Sequence, residues 1–378
     1  MLTLKDKKTQ LDDLLDQMAE ELQLDESRYN RIIKHYEAVK KWIEDDEKFF
    51  KPFKYDVYPH GSVRILTTVK PIGKEEFDLD IAIHLKTQWA SHTPEKVYKE
   101  LKRRLEENET YKAMLEAKNR CIRLNYSGDF HMDILPGIQE EEADEDRLRI
   151  PDRELGHWVS SNPRGYAKWF FGKANMVKQS LLEKALRAEN VPTDDFEKKK
   201  PLQRAVQLIK RYRDIYFQKD HTYKTSSIVL TTIAGQFYNG EDSIYDTVDG
   251  IITSIRTKIS TTPGVRIKVL NPVNEEEDFT DKWEAEPQHY AEFIKFCDYL
   301  FKEWQALKKE NGIIEESKVL KGLFGDDIYV NAQKRQTEKL EKLRKSHSLG
   351  VNRSTGVLSS LGAAAVTSPV KSNTFFGE

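Results

Sequence analysis

In the stretch FDLDIAIHL (77–85), Phe77, Leu79, Ile81 and Ile83 alternate with Asp78 and Asp80. An extended chain sends successive side chains to opposite faces, so the apolar set faces a core and the two carboxylates share the other face. FHMDILP (130–136) has the same period: Phe130, Met132 and Ile134 alternate with His131 and Asp133. A chain with two such strands must build a sheet that is covered on one side and acidic on the other. Three carboxylates brought together repel one another and raise one another's pKa unless cations neutralise them. Hard oxygen ligands of this kind suit Mg²⁺, with Mn²⁺ as an alternative, and such ions also hold phosphate oxygens. Asp-x-Asp alone is common on strands whose polar face meets only water. The order of features is more specific: Gly61-Ser62 comes first, then Asp78 and Asp80, then Asp133. Gly61 permits close backbone approach, and Ser62 offers a hydroxyl and an amide to a phosphate.

Helical spacing surrounds these strands. Leu11, Leu14, Leu15, Met18 and Leu22 form one apolar stripe, and Ile32, Ile33, Tyr36, Val39, Trp42 and Ile43 a second, with Asp25 as the cap between them. VRILTTV (63–69) and CIRLNYS (121–127) read as further strands, and 94–117 as a polar helix. From Pro163 onward the spacing predicts helices over 163–189, 201–218, 226–238, 243–260 and 287–309, with a structured loop at 270–283 and a solvated helix at 332–345. Residues 346–378 are rich in Ser, Gly and Ala, carry too little apolar surface to offset ordering entropy, and are expected to be disordered in isolation. The expected class is α+β: a mixed sheet with flanking helices over 1–160, a helical lobe over 161–330, and a flexible tail over 331–378.

Composition removes several function classes. Lys plus Arg number 61 against 63 Asp plus Glu, a net charge of −2, so nothing pulls the whole chain toward nucleic acid or an anionic membrane. Cys121 and Cys297 stand far apart, which argues against a disulfide framework or a zinc ribbon. The charged N-terminus lacks an apolar signal core and no long apolar run occurs, so a cytoplasmic protein is expected.

HGSVRILTTVKP, FDLDIAI and FHMDILP together closely resemble the catalytic core of the DNA polymerase β-like nucleotidyltransferases. SNPRGYAKWF (161–170), RAVQLIKRYRD (204–214), KTSSIVLTTIAG (224–235) and NPVNEEEDFTDKW (271–283) are similar to the helical half of one branch. That branch contains the bacterial relatives of cyclic GMP-AMP synthase and oligoadenylate synthase, the cyclic oligonucleotide synthases (CD-NTases) of CBASS anti-phage defence. The resemblance implies a bilobed fold in which Asp78 and Asp80 hold both Mg²⁺ ions, and Asp133 completes the second site and helps deprotonate the attacking ribose hydroxyl. It implies that Gly61 and Ser62 cradle the β- and γ-phosphates, that Lys210 contacts phosphate, and that Ser227, with Ser226 as the competing choice, does the same. The implied reaction condenses NTPs, ATP among them, into a cyclic di- or trinucleotide with release of pyrophosphate. The alternative is a linear nucleotidyltransferase acting on RNA, a small molecule or a protein, and a third reading is a degenerate, non-enzymatic binding module.

Tyr166, Trp169, Tyr212 and the run Asp278, Phe279, Thr280 are the candidates for reading the base, each with core packing as the competing role. The basic run EKKKPLQR (197–204) offers contacts to RNA or nucleotide phosphates, or is simply a solvated helix entry. The His and Cys cluster of the animal enzyme's zinc insertion has no counterpart, so no DNA requirement is inferred. Members of the branch use a flexible tail that a ubiquitin-transfer-like partner conjugates. Here the sequence finishes NTFFGE, which calls for a trim or another use of the tail, with Phe375 and Phe376 as an alternative docking anchor.

Overall fold

In a computed structural model the structure describes residues 4–73, 75–175, 190–309, 312–352, 358–361 and 367–370. The second half of the helix expected over 163–189, and the Phe375-Phe376 pair, lie outside the described residues. Helices α1 (Leu4–Glu21) and α2 (Glu26–Glu44) are separated where expected: the Asp25 carboxylate accepts the Arg28 amide at 2.8 Å and caps α2.

A mixed seven-stranded sheet follows. Its path is β1 (Tyr55–His60), β2 (Phe77–Leu85), β5 (Phe130–Glu141), β4 (Ile122–Tyr126) and β3 (Leu115–Ala117). Strand β6 (Asp144–Asp152) pairs with β5, and β7 (His157–Ser161) with β6. β2 and β5 run parallel; β1 and β4 are antiparallel to their neighbours. The alternation places Phe77, Leu79, Ile81, Phe130, Met132 and Ile134 in a buried core with Ile32, Tyr36, Val39 and Ile43 of α2. Helices α4 (Pro94–Glu106) and α5 (Glu109–Met114) replace the single helix expected over 94–117, because Asn108 stops one and caps the other by accepting from Thr110 and Tyr111 amides.

VRILTTV is not a strand. Its start is the short helix α3 (Gly61–Arg64), and the chain coils onward through Ile65 N–H to Gly61 O (3.3 Å) and Thr67 N–H to Ser62 O (2.9 Å). β-branched composition suggested extension, but Gly61 at φ +59° and Leu66 at φ +60° turn the backbone away from it.

The helical half is built from α6 (Pro163–Asn175), α7 (Pro201–Tyr216), α8 (Ser227–Phe237), α9 (Ile244–Thr261), α10 (Lys282–Ala285), α11 (Gln288–Lys308), α12 (Gly312–Phe324) and α13 (Asp326–Lys345). Its core also takes Leu15 and Met18 of α1 and Leu22 just beyond it. The first helix therefore packs with the helical half, and the second with the sheet. The loop expected at 270–283 is a hairpin of β8 (Leu270–Asn271) and β9 (Asn274–Asp278) leading into α10. The C-terminal segment, expected to lack order, contains three short antiparallel strands, β10 (Leu349–Asn352), β11 (Leu358–Ser360) and β12 (Thr367–Pro369), with β10 central. Backbone pairing and the buried Leu349 give this segment the partners that its composition did not reveal. No helix among the described residues is long and apolar enough to cross a membrane.

Candidate active site

Strand register assembles the site. His60 of β1 pairs with Asp80 of β2, Asp80 with Asp133 of β5, and Asp133 with Arg123 of β4, so four side chains line up across the sheet. Asp78 stands in the next row, opposite His131. This polar face closes one wall of a cleft of about 320 Å³ against the helical half, and the cleft is lined by Gly61, Ser62, Asp78, Asp80, Asp133, Lys210 and Ser227. The cleft brings together every residue expected to act in catalysis or phosphate binding except Ser226, which occupies the cap position before α8 and makes no side-chain capping bond.

Gly61 sits against Asp80. A Cβ added at its left-handed backbone would lie 2.0 Å from Asp80 Oδ2, so the absence of a side chain is what lets the turn reach the acid. Asp80 makes no hydrogen bond or ion pair among the described residues. Burial, then the neighbouring Asp78 and Asp133 charges, push its carboxyl up to about 8. His60 is the reverse case. Its imidazole is half-buried with Nε2 covered and unpartnered, and loss of water around it lowers it to about 4, so it is neutral beside the acids.

The opposite wall is cationic. Lys210 of α7 is buried and its Nζ donates to Thr67 O at 3.1 Å and Thr67 Oγ1 at 3.0 Å, with burial and the Arg213 charge lowering it to about 7. Arg213 donates to Ser227 Oγ and, at 2.6 Å and 2.9 Å, to Asp214 Oδ1, which also pairs with Lys224 at 3.0 Å. Arg213, Lys224 and Arg123 carry no motif and were missed in the sequence. Lys224 opens KTSS and is the nearest to a signal, because it stands three residues before the cleft-facing Ser227 that starts α8.

The base-reading candidates separate. Tyr166 reaches the cleft, with its hydroxyl 3.0 Å from Thr232 Oγ1. Trp169 packs on Gly235 of α8, and Tyr212 is buried with its hydroxyl donating to Phe296 O at 2.9 Å. Asp278 accepts the Thr280 amide at 2.8 Å and closes the turn after β9. In the basic run, Lys199 is buried on Asp194 (2.8 Å) and Arg204 pairs with Asp16 of α1.

The family model described as "Second Messenger Oligonucleotide or Dinucleotide Synthetase domain" matches residues 9–174. A c-di-GMP synthase of Roseivirga ehrenbergii is 44% identical over 379 residues, covering 100% of each chain. The chain belongs to the CD-NTase family. It is therefore a nucleotidyltransferase of the cyclic oligonucleotide synthases, as the sequence motifs implied. The cyclic dinucleotide synthase CdnG of Bradyrhizobium diazoefficiens is 25% identical across 97% of this CD-NTase and 95% of its own length. The solved structure of CdnG in complex with GTP superposes with a TM-score of 0.70 at 24% identity, covering 86% of this chain and 99% of that one. CdnC of E. coli MS115-1, solved with ATP, gives 0.62 at 12% identity over 83% and 98%. These likenesses bear on the fold, and the α+β CD-NTase fold expected from the sequence is the one observed.

Proposed function

We propose that this CD-NTase joins two GTP molecules into cyclic di-GMP with release of two pyrophosphates, as a signal in bacterial anti-phage defence. The observation that carries the product is the full-length 44% identity to a c-di-GMP synthase. The proposed division assigns nucleotide transfer to residues 1–160 and the choice of what is joined to 161–330. Incubating the protein with GTP and Mg²⁺, separately and with the other NTPs, should give a phosphatase-resistant product with the mass of cyclic di-GMP. A phosphatase-sensitive chain would favour the linear alternative, and a mixed ring containing adenine would overturn the GTP-only reading while keeping cyclisation.

The residues fit divalent ions by their chemistry: three carboxylates face one another, one of them without a hydrogen-bond partner, beside a glycine turn that a side chain would fill. Asp78, Asp80 and Asp133 would hold them, and Mg²⁺ or Mn²⁺ so bound offsets the triphosphate charge and makes a ribose hydroxyl more acidic. Asp133 then accepts the proton of the attacking 3′-hydroxyl. The backbone of Gly61 and the hydroxyl of Ser62 receive the phosphates from the sheet side. Lys210, Arg213 and Ser227 receive them from the helical side, where fixed donors stabilise charge on the leaving pyrophosphate. Tyr166, on the cleft wall, supports a base by packing. A regulatory partner at the C-terminal strands remains part of the proposal.

Lys210 gives this reading a pH signature. In the free protein its ammonium is lowered to about 7, and a triphosphate alongside would raise it. Between the free and bound values, binding takes up a proton, so affinity falls as pH rises above about 7, by up to about tenfold per pH unit. At pH 8, GTP titrations in two buffers of different ionisation heat should reveal uptake of close to one proton, and Lys210→Met should remove it. Equal heats in both buffers for the unaltered protein would remove Lys210 from the phosphate site.

A further inference from the structure

The three carboxylates face one another, yet among the described residues no three His, Cys, Asp or Glu side chains converge closely enough to grip an ion as they stand. A cationic side chain engages two of the three acids instead. Arg123 of β4 lies opposite Asp133 in the antiparallel register, and its Nε donates to Asp133 Oδ1 at 2.7 Å while Nη2 donates to Asp133 Oδ2 at 2.8 Å. The same Nη2 reaches Asp78 Oδ1 at 3.1 Å. One guanidinium thus spans acids on β2 and β5 and leaves Asp80, opposite Asp133 in the sheet register, without a direct cation.

The two contacts differ in kind. The fork on Asp133 is bidentate, and both side chains are largely covered, 20% exposed for Arg123 and 17% for Asp133. Such pairs fix orientation as well as charge. The contact to Asp78 is one longer bond to a side chain that is 56% exposed, so water competes for it and it costs little to break. We propose that Arg123 is a positioning residue with two functions. Its fork holds Asp133 in the orientation needed to meet the ribose hydroxyl, and its second contact parks Asp78 away from the metal position until cations arrive with the nucleotide. Arg123 thereby makes ion binding weak in the empty enzyme and strong once the triphosphate enters. This rests on the metal reading of the three acids given above.

The test separates the two. Mn²⁺ binding to the nucleotide-free protein is followed by electron paramagnetic resonance, and turnover is measured separately at saturating Mn²⁺. Arg123→Gln removes a positive charge a few ångströms from the ion position, so the Mn²⁺ midpoint should tighten by about tenfold or more. Its kcat should fall by about tenfold or more because Asp133 is no longer held. Arg123→Lys keeps the charge without the fork: its midpoint should stay within about threefold of the unaltered protein, and its kcat should fall. A merely structural salt bridge would lower stability in both variants without tightening Mn²⁺ binding. An unchanged midpoint in Arg123→Gln overturns the parking function, and an undiminished kcat in Arg123→Lys overturns the positioning function even if Arg123→Gln fails to fold. Mn²⁺ binding that survives Asp80→Ala overturns the metal reading and the Arg123 assignment with it. Loss of binding in Asp80→Ala beside an unmoved Arg123→Gln midpoint overturns the parking function and leaves the metal reading standing.

Discussion

Asp80→Asn should lower pyrophosphate release by at least about a thousandfold while raising the melting temperature of the ligand-free protein. Both effects have one cause. Asp80 lies in a sheet row between Asp133 and His60, has no hydrogen-bond donor among the described residues, and is held well above the ordinary carboxylate range by burial and two like charges. A group in that position destabilises the empty fold, because its charged form has lost water and the repulsion of two acids outweighs the pull of the more distant Lys210 and Arg123. The amide keeps the shape and removes the charge, a change expected to add about 2 kcal/mol, or about 2–3 °C for a chain of this length. The same substitution removes the charge proposed to hold the ions, so Mg²⁺ with a non-hydrolysable GTP analogue should stabilise the unaltered protein and leave the variant unmoved. Thermal melts with and without these ligands, alongside pyrophosphate release, check both parts. A variant that melts lower than the parent without ligand would show that Asp80 is a satisfied structural acid.

Asp80 was legible in the sequence because the strand carrying it has a strict two-residue period, and a parallel partner with the same period carries Asp133. Apolar positions alternating on both strands allow only registers related by two-residue steps, all of which put the acids of both strands on one face, and the observed one sets Asp80 beside Asp133. Arg123 illustrates the limit. Alternation in CIRLNYS puts it on a polar face, but only the order β2-β5-β4 puts it opposite Asp133, and strand order depends on long-range pairing that no local pattern carries. The same holds for α1. Its stripe of leucines announces a buried face without naming the partner, and contacts made far along the chain settle the matter: Asp16 with Arg204, and Glu20 and Glu21 with Arg335 at 2.9 Å. VRILTTV was misread for a different reason. Its composition favours extension, but the glycine before it is the one residue that enters the left-handed region without strain, and that conformation starts a helical turn. Among the described residues of the short strands at 349–369, the covered Leu349 and Gly350 and the backbone pairing hold the segment, and no apolar alternation announced it.

That glycine carries the second large expectation. Gly61→Ala should reduce pyrophosphate release by about a hundredfold or more while the protein remains folded. The added methyl would lie 2.0 Å from Asp80 Oδ2 and 2.9 Å from its Cγ, and Asp80 has one short side chain on a strand held by pairing on both edges. It cannot swing far without leaving the row that it shares with Asp133. Either the carboxylate rotates away from the proposed ion position, or the turn at 61–64 shifts and carries Ser62 off the phosphates. A φ of +59° adds about 1 kcal/mol of strain for alanine, so some stability is lost on either route, with the fold retained because the cores behind the strands are untouched. Ser62→Ala is the control. It removes one hydroxyl, 3.3 Å from Thr68 Oγ1, and leaves the backbone in place, so it should cost only about tenfold in turnover. Mn²⁺ titration distinguishes the two routes, since a displaced Asp80 weakens ion binding whereas a displaced Ser62 leaves it unchanged and raises the KM for GTP. Turnover within about threefold of the parent in Gly61→Ala would mean that the turn and the acid need not touch during the reaction, and that the closest contact in the cleft belongs only to the empty state.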